Sequence, residues 1–457
     1  MKKAVLILTI FILLGTLKSN SQTFDRDERA LWLSRIWSDV SNNFYDPQRL
    51  KAIGWDSLFV SSLSLSEKAD SDEEYYRLLE RFLASVGDGH TQFFPAINLQ
   101  TKIQSGAKHL LPITGAEYIE GKYYLTGWIA DRLPAIEPPQ HLVSIDGVDA
   151  EQYMLDKIIP YIAGNTLQWK RMRALEKFIT DGTPGESHTL TLKGLDGNPT
   201  DVEVSYDMDF GQWSSLQRKA IKSPIKPGIN IYRVKDKNDT DFFLFDLKSF
   251  HNIPITGILN SVKDEVEKSD YIVIDLRNNP GGSELAADTL LMSLLNTDTL
   301  RTYRSRCRVN NALKAAHGYG YKPEYRDYYE NTAIEIMPED VLVKKGTTLP
   351  TFLQPLYILI GSGTLSAAED FLFPLKLHYP HRAVLVGAPT GGSTGAPLVK
   401  HMPGGNIYRI CTRGAIVSED FQQVGLQPDI MFEGSVQDYI SGNDSIFGIV
   451  ADHFKNL

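Results

Sequence analysis

Ser366 stands at a junction between an apolar run and a helical one, in Leu356-Tyr-Ile-Leu-Ile-Gly-Ser-Gly-Thr-Leu-Ser-Ala-Ala-Glu-Asp-Phe371. Leu356 to Ile360 suit one buried parallel strand. Gly361-Ser362-Gly363 breaks it. Ser366 to Asp370 then open a helix that continues through Phe371, Leu372 and Leu375. A hydroxyl at such a place can do two things. As an N-cap it accepts a backbone N–H, and Glu369 three residues on completes a capping box. As a nucleophile it is exposed at the helix start, with backbone donors beside it for an oxyanion.

The second chemistry needs a base and a donor loop from elsewhere in the chain. His90, in the turn Asp88-Gly89-His90-Thr91, is the natural base. Its side chain titrates near neutrality, and the turn holds it away from any apolar face. Other histidines suit structural roles; His378 and His381 sit at a helix end, where positive charge is mildly favoured. The donor loop is Asn279-Pro280-Gly281-Gly282, just after the buried strand Tyr271 to Leu276. Adjacent parallel strands would bring this loop and Ser366 to the same sheet edge, where α/β folds place their ligands. Glycine lets a backbone N–H approach a carbonyl oxygen closely. The expected oxyanion donors are therefore Gly282 or Gly281, together with Ala367. Asp275 and Arg277 are spaced to hold the loop by a fixed salt bridge.

The elements that must position these groups follow from periodicity. Residues 25–85 read as helical and end at Gly87-Asp88-Gly89-His90, as at a glycine C-cap. Residues 105–207 carry short alternating strands, among them His188 to Lys193 and Val202 to Tyr206, around a helical stretch at about 150–180. From about 228 the pattern is strand then helix, repeatedly: Phe242 to Leu247, Ile255 to Val266, Tyr271 to Leu276, Glu284 to Asn296, and Ala383 to Gly387 beyond the Ser366 helix. That alternation predicts an α/β core with a parallel or mixed sheet. Residues 303–350 form a polar excursion too long for an ordinary connection. Ser435 to Leu457 reads as one helix.

The 457 residues carry a net charge of −9 and no basic footprint, which argues against nucleic acid as a partner. Lys2 and Lys3 precede the apolar run Ala4 to Leu14, and Ser19-Asn20-Ser21 offers small residues for cleavage. This is the pattern of a secretory signal over residues 1–21, too short to span a bilayer comfortably. A soluble, exported mature protein is expected, periplasmic or extracellular, without stable membrane insertion. The two cysteines, Cys307 and Cys411, allow one disulfide but not a disulfide-built scaffold. No cluster has zinc or calcium spacing, and no cofactor is expected.

Taken together, Asp88 to Thr91, Ile274 to Gly282, Ser366 to Glu369 and Gly425-Leu426-Gln427-Pro428-Asp429-Ile430 resemble the carboxyl-terminal processing and tricorn-core serine peptidases. The resemblance covers nearly the whole mature chain. It implies an α/β, ClpP/crotonase-like catalytic core at 226–434, an N-terminal helical segment at 22–104, a PDZ-like β-rich module at 105–225 and a C-terminal helix at 435–457. It implies hydrolysis of peptide bonds in unfolded or C-terminal polypeptide segments. One branch of the family uses a lysine base in a Thr-x-Gly-Lys-Gly loop. Here that loop reads Thr390-Gly391-Gly392-Ser393-Thr394, so Ser393 stands where the lysine would be. The tricorn-like branch uses a histidine from the N-terminal segment, the place of His90. In that branch a serine precedes the histidine and a late glutamate completes a tetrad. Here Gly89 precedes it and Thr91 follows, and Glu419 is the candidate carboxylate. The missing lysine also leaves a second reading, a non-catalytic binder of peptides or apolar ligands on the same fold. Gly391-Gly392-Ser393-Thr394-Gly395 fits an α/β-hydrolase elbow, but that elbow must open a helix, and Pro397 with Pro403-Gly404-Gly405 follows instead. Gly361-Ser362-Gly363 is at most a loose dinucleotide fingerprint, without the acidic partner that motif needs.

Overall fold

The computed structural model describes residues 24–95, 109–129, 139–194, 197–209, 211–212, 229–297, 299–308, 334–337, 341–343, 349–418 and 420–457. The signal-like segment and Glu419 lie outside the described residues. No helix among those described is long and apolar enough to cross a membrane.

Four helices open the described chain: Arg26–Asn43, Pro47–Ala52, Trp55–Ser66 and Asp72–Ala84. Their starts follow local chemistry. Asp25 and Glu28 form a capping box, Asp46 caps a helix with proline at its first position, and Ser71 caps the last. Leu33, Ile36, Val40, Tyr75, Leu79 and Phe82 make one core with Tyr408 and Ile410 from late in the chain. Just after the helices, Gln92–Phe94 pairs antiparallel with Ile407–Cys411, Gln92 opposite Arg409. The loop carrying His90 is thus stitched to the closing third of the chain.

The main sheet has six strands, in the order Ile430–Met431, Ala383–Gly387, Leu356–Ile360, Tyr271–Asp275, Asp241–Leu247 and Ile229–Lys235. The first five run parallel; the last pairs antiparallel with its neighbour at the edge. Tyr271–Asp275 and Leu356–Ile360 are buried at every residue, because helices and loops cover both faces. They pair directly, Asp275 opposite Leu359, so the loops leaving them start side by side. The half-exposed edge strand Ile229–Lys235 has too little alternation to be read from sequence.

A separate antiparallel sheet joins Ile113–Ile119, Lys122–Trp128, Gln140–Ile145, Ser187–Lys193 and Pro199–Ser205 in that order. Helix Leu167–Thr180 packs on it, burying Ala174, Leu175 and Phe178. Residues 150–161 are helical but irregular, passing from α through π to 3-10 geometry. Within the excursion, Arg304–Arg308, Ile334–Met337 and Val341–Val343 are strands.

Two readings change. The tail is two helices, Val436–Ser441 and Ile446–Lys455, because Gly442 takes the left-handed conformation at φ 66° and ends the first. Cys307 and Cys411 are free thiols; Cys307 is half-buried on strand Arg304–Arg308, while Cys411 is buried.

Candidate active site

Ser366 does not cap its helix. It sits at φ 57°, ψ −127° and makes no side-chain cap hydrogen bond. A non-glycine residue at positive φ is strained and persists only where its surroundings fix it. Here the Ser366 N–H donates to the Ser393 carbonyl at 2.9 Å, while its own carbonyl accepts from Glu369 and Asp370 N–H. The Thr364 hydroxyl donates to Leu276 O and accepts from Gly361 N–H, locking this turn to the neighbouring strand end. The backbone bonds fix the turn and leave the hydroxyl of Ser366 for other partners.

The diglycine bend lies against that turn. A Cβ on Gly281 would stand 2.7 Å from Ser366 Cβ and 2.8 Å from Ala367 N; one on Gly282 would stand 2.4 Å from His251 N. Both have positive φ, +96° and +141°, so only glycine fits. The Gly281 N–H is already donated to Asn279 Oδ1 at 2.9 Å. That removes Gly281 from the expected donor pair and leaves Gly282 and Ala367, whose N–H groups meet no acceptor among the described residues. Asn279, fully buried, is itself anchored through its amide to Leu247 O.

Across this edge lies His90. Its Nε2 is 3.1 Å from Ser366 Oγ and its Nδ1 is 3.0 Å from Ser393 Oγ. Ser393 Oγ can accept from Nδ1–H, the tautomer that leaves Nε2 free to take a proton from Ser366. The carboxylate of Asp88 accepts from the His90 N–H and from the Thr91 hydroxyl. Burial pulls the pKa of His90 below its ordinary value, against an upward pull from Asp88 and with Arg409 and Arg413 pushing the same way as burial. The ring is therefore neutral, and basic, at pH 7.

Ser393 is held in turn by Glu369. The carboxylate accepts from Ser393 N–H at 2.9 Å, Gly392 N–H at 2.8 Å and the Thr390 hydroxyl at 2.5 Å. Glu369 is thus no capping partner of Ser366, as its spacing suggested; it clasps the loop that faces the histidine. Burial pushes its pKa up to about 8, opposed by those three hydrogen bonds. Its neighbour Asp370, bonded by Tyr303 and Thr394, is pushed up to about 7 by burial and by Glu284. Asn165, Thr166 and Gln168 reach from the β-rich module to Gly89, Gly391 and Thr390.

Gly89 explains how Ser393 gets there. A Cβ on Gly89 would lie 2.9 Å from Ser393 Oγ and 3.2 Å from its Cβ. The hydroxyl occupies the space a side chain at 89 would fill. Sequence reasoning looked for an orienting group beside His90 and weighed Ser393 only as an absent lysine and a false elbow. The missing side chain at 89 was the available signal.

The remaining expected residues fall outside this chain of contacts. Thr91 does not reach the ring; its hydroxyl bonds Asp88 and accepts from Cys411 N–H, tying the turn to strand Ile407–Cys411. Asp275 takes two bonds from the Arg277 guanidinium, which also reaches Asp444 in the tail. This pair braces the strand end behind the diglycine bend. Ligand atoms of Asp88, His90 and Cys411 lie within 4.8 Å of one another. Both ring nitrogens already have hydroxyl partners and burial pushes the Cys411 thiol well up, so the group suits packing better than a divalent ion.

Ser366, His90 and Gly282 open onto one cleft of about 1150 Å³, walled by the N-terminal segment, helix Leu167–Thr180 and the α/β core. A part-buried serine–imidazole contact beside a glycine-lined donor pair, opening onto a cleft of that size, is fitted to acyl transfer.

Residues 245–432 match peptidase family S41. Over 413 residues, 87% of this chain and 68% of the relative, the sequence is 23% identical to carboxyl-terminal-processing peptidase 3, chloroplastic, of Arabidopsis thaliana. Mature CPAF complexed with lactacystin superposes with a TM-score of 0.68 at 15% identity, over 94% of this chain and 99% of that one. Mature CPAF alone gives the same TM-score over 94% and 98%. At that identity the two structures show a common fold. Residues 245–432 thus carry a peptidase family S41 domain, and the chain is a serine-type peptidase.

Proposed function

We propose that this protein is an exported peptidase in which Ser366 attacks the scissile carbonyl of an unfolded or C-terminal polypeptide segment, with His90 as its base. His90 Nε2 takes the hydroxyl proton as the Oγ–C bond forms, and returns it to the leaving amine as the C–N bond breaks. The Gly282 and Ala367 N–H groups receive the oxyanion. A water molecule then enters by the same route in reverse. Ser393 keeps the imidazole in the accepting tautomer and Glu369 keeps Ser393 in place; both are positioning residues. Glu419 has no part in this reading.

The observation that carries the reading is the 3.1 Å contact between Ser366 Oγ and His90 Nε2, made by residues 276 positions apart. The similarity to a carboxyl-terminal-processing peptidase supports tail segments as substrates. The charged n-region Lys2-Lys3 and the apolar run Ala4 to Leu14 support export. Incubation with unfolded casein, followed by mass spectrometry, tests it. Fragments that vanish with Ser366→Ala, together with loss of labelling by a fluorophosphonate, are expected. Equal fragmentation by wild type and variant would overturn it.

A further inference from the structure

Among the described residues, charge in the cleft is almost fully paired. Lys177 bonds Glu80 and Asp181, Arg173 pairs with Glu176, and Arg413 pairs with Glu284. Asp370 is bonded by Tyr303 and Thr394. Arg409 is the exception. It lines the cleft, yet among the described residues it makes no ion pair and no side-chain hydrogen bond, and its buried Nε has no acceptor. Its guanidinium carbon lies over the Phe94 ring, 4.5 Å from the centroid. The register sets it opposite Gln92, two residues beyond His90.

A desolvated arginine with an unmet donor is costly to keep. Its unpartnered N–H groups are the surface for a ligand, and the planar fork matches a carboxylate with two parallel N–H bonds. Asp88 acts on Arg409 through its charge but forms no ion pair with it, and its Oδ1 accepts from the His90 N–H and the Thr91 hydroxyl. Burial pulls Arg409 down from the usual arginine range, with a smaller opposing pull from Asp88. A carboxylate partner would relieve that penalty.

We propose that Arg409 forms a carboxylate-binding subsite of the cleft, which selects polypeptide segments carrying a free C-terminal carboxylate or an acidic side chain near the scissile bond. The cleft is the one in the peptidase reading above, and the proposal rests on that reading for its consequence in catalysis. The binding itself is independent of cleavage.

The test uses the mature protein and a synthetic peptide spanning its strongest casein cleavage site. That peptide is made with a free or amidated C-terminus, and with Asp and Glu changed to Asn and Gln. Binding is read by fluorescence anisotropy in Ser366→Ala, and selectivity by the ratio of kcat/KM for carboxylate and neutral partners. A preference of about tenfold or more is expected, the size of a charge-assisted pair. It should fall to about onefold in Arg409→Gln and to an intermediate value in Arg409→Lys, which keeps the charge but not the fork. The amide arm and the side-chain arm tell the two carboxylate sources apart. An unchanged ratio in a folded Arg409→Gln, or no preference in wild type, overturns the subsite. Were Arg409→Gln to misfold, Arg409→Lys with wild-type selectivity would overturn it equally. Should wild type cleave nothing, a casein-derived peptide set still reports binding, so failure of the peptidase reading and failure of the subsite are distinguishable.

Discussion

Two serines leave neighbouring parallel strands and meet at one histidine, yet their loops are built oppositely. The loop after Leu356–Ile360 turns sharply into a buried helix. That turn strains Ser366 and leaves the Ala367 N–H without an acceptor among the described residues. The loop after Ala383–Gly387 never turns into a helix. It runs in coil to strand Pro397–His401, its N–H groups consumed by Glu369. One loop therefore leaves donors open for a developing charge, and the other spends its donors on rigidity. A hydroxyl in the first suits attack, and in the second it suits orientation.

The comparison breaks at once if the serines are interchangeable. Ser366→Ala should lower kcat/KM by about 10³-fold or more, with no transfer of fluorophosphonate labelling to Ser393. Label at Ser393 would reverse the assignment. His90→Ala should cost about 10²–10⁴-fold. Because burial lowers its pKa, the acid limb of kcat/KM should lie below the ordinary histidine value of 6.5; a limb above it would mean that a different group titrates. Ser393→Ala should cost about 10–100-fold, mainly in kcat, as a misoriented base does. Adding Gly89→Ser to that variant should restore part of the loss, since the freed space admits a hydroxyl from the other side. No recovery would separate the Gly89 gap from His90 orientation.

Smaller effects sharpen the same contrast. Glu369 has a folded pKa raised from 4.5 to about 8, so the fold favours its protonated form. Its contribution is full below about pH 4.5 and is lost as pH rises towards 8. Glu369→Gln should flatten the stability profile across that window in urea melts, and an unchanged slope would mean that another group titrates there. Weakest of all, Asp444→Asn should cost about 1 kcal/mol or less in stability, because Arg277 keeps its two bonds to Asp275. A larger loss would place the tail among the supports of the oxyanion loop.

Much of the fold could be read along the chain. Fully apolar runs marked the buried strands within a residue or so, and glycines marked the bends, since burial on both faces and positive φ each leave a local trace. The strand Ile229–Lys235 and the break at Gly442 left weaker traces, being exposed or a single residue within an otherwise helical pattern. For the site, Ser366, His90 and the diglycine loop announced themselves by residue type. Their neighbours did not. Glu369 fitted a capping box on spacing alone, and Gly281 looked as suitable a donor as Gly282 until Asn279 was seen to hold its N–H.

What the sequence determined by itself is the inventory: a hydroxyl at a helix start, a near-neutral base, a glycine bend and the alternation that builds a parallel sheet. These depend on chemistry within a few residues. Tertiary structure decided which hydroxyl faces which nitrogen of His90 and, among the described residues, which glycine keeps its N–H free and which cleft arginine has no partner. Those outcomes depend on distances between segments hundreds of residues apart, fixed by packing and by competition for hydrogen bonds, and no local pattern encodes them.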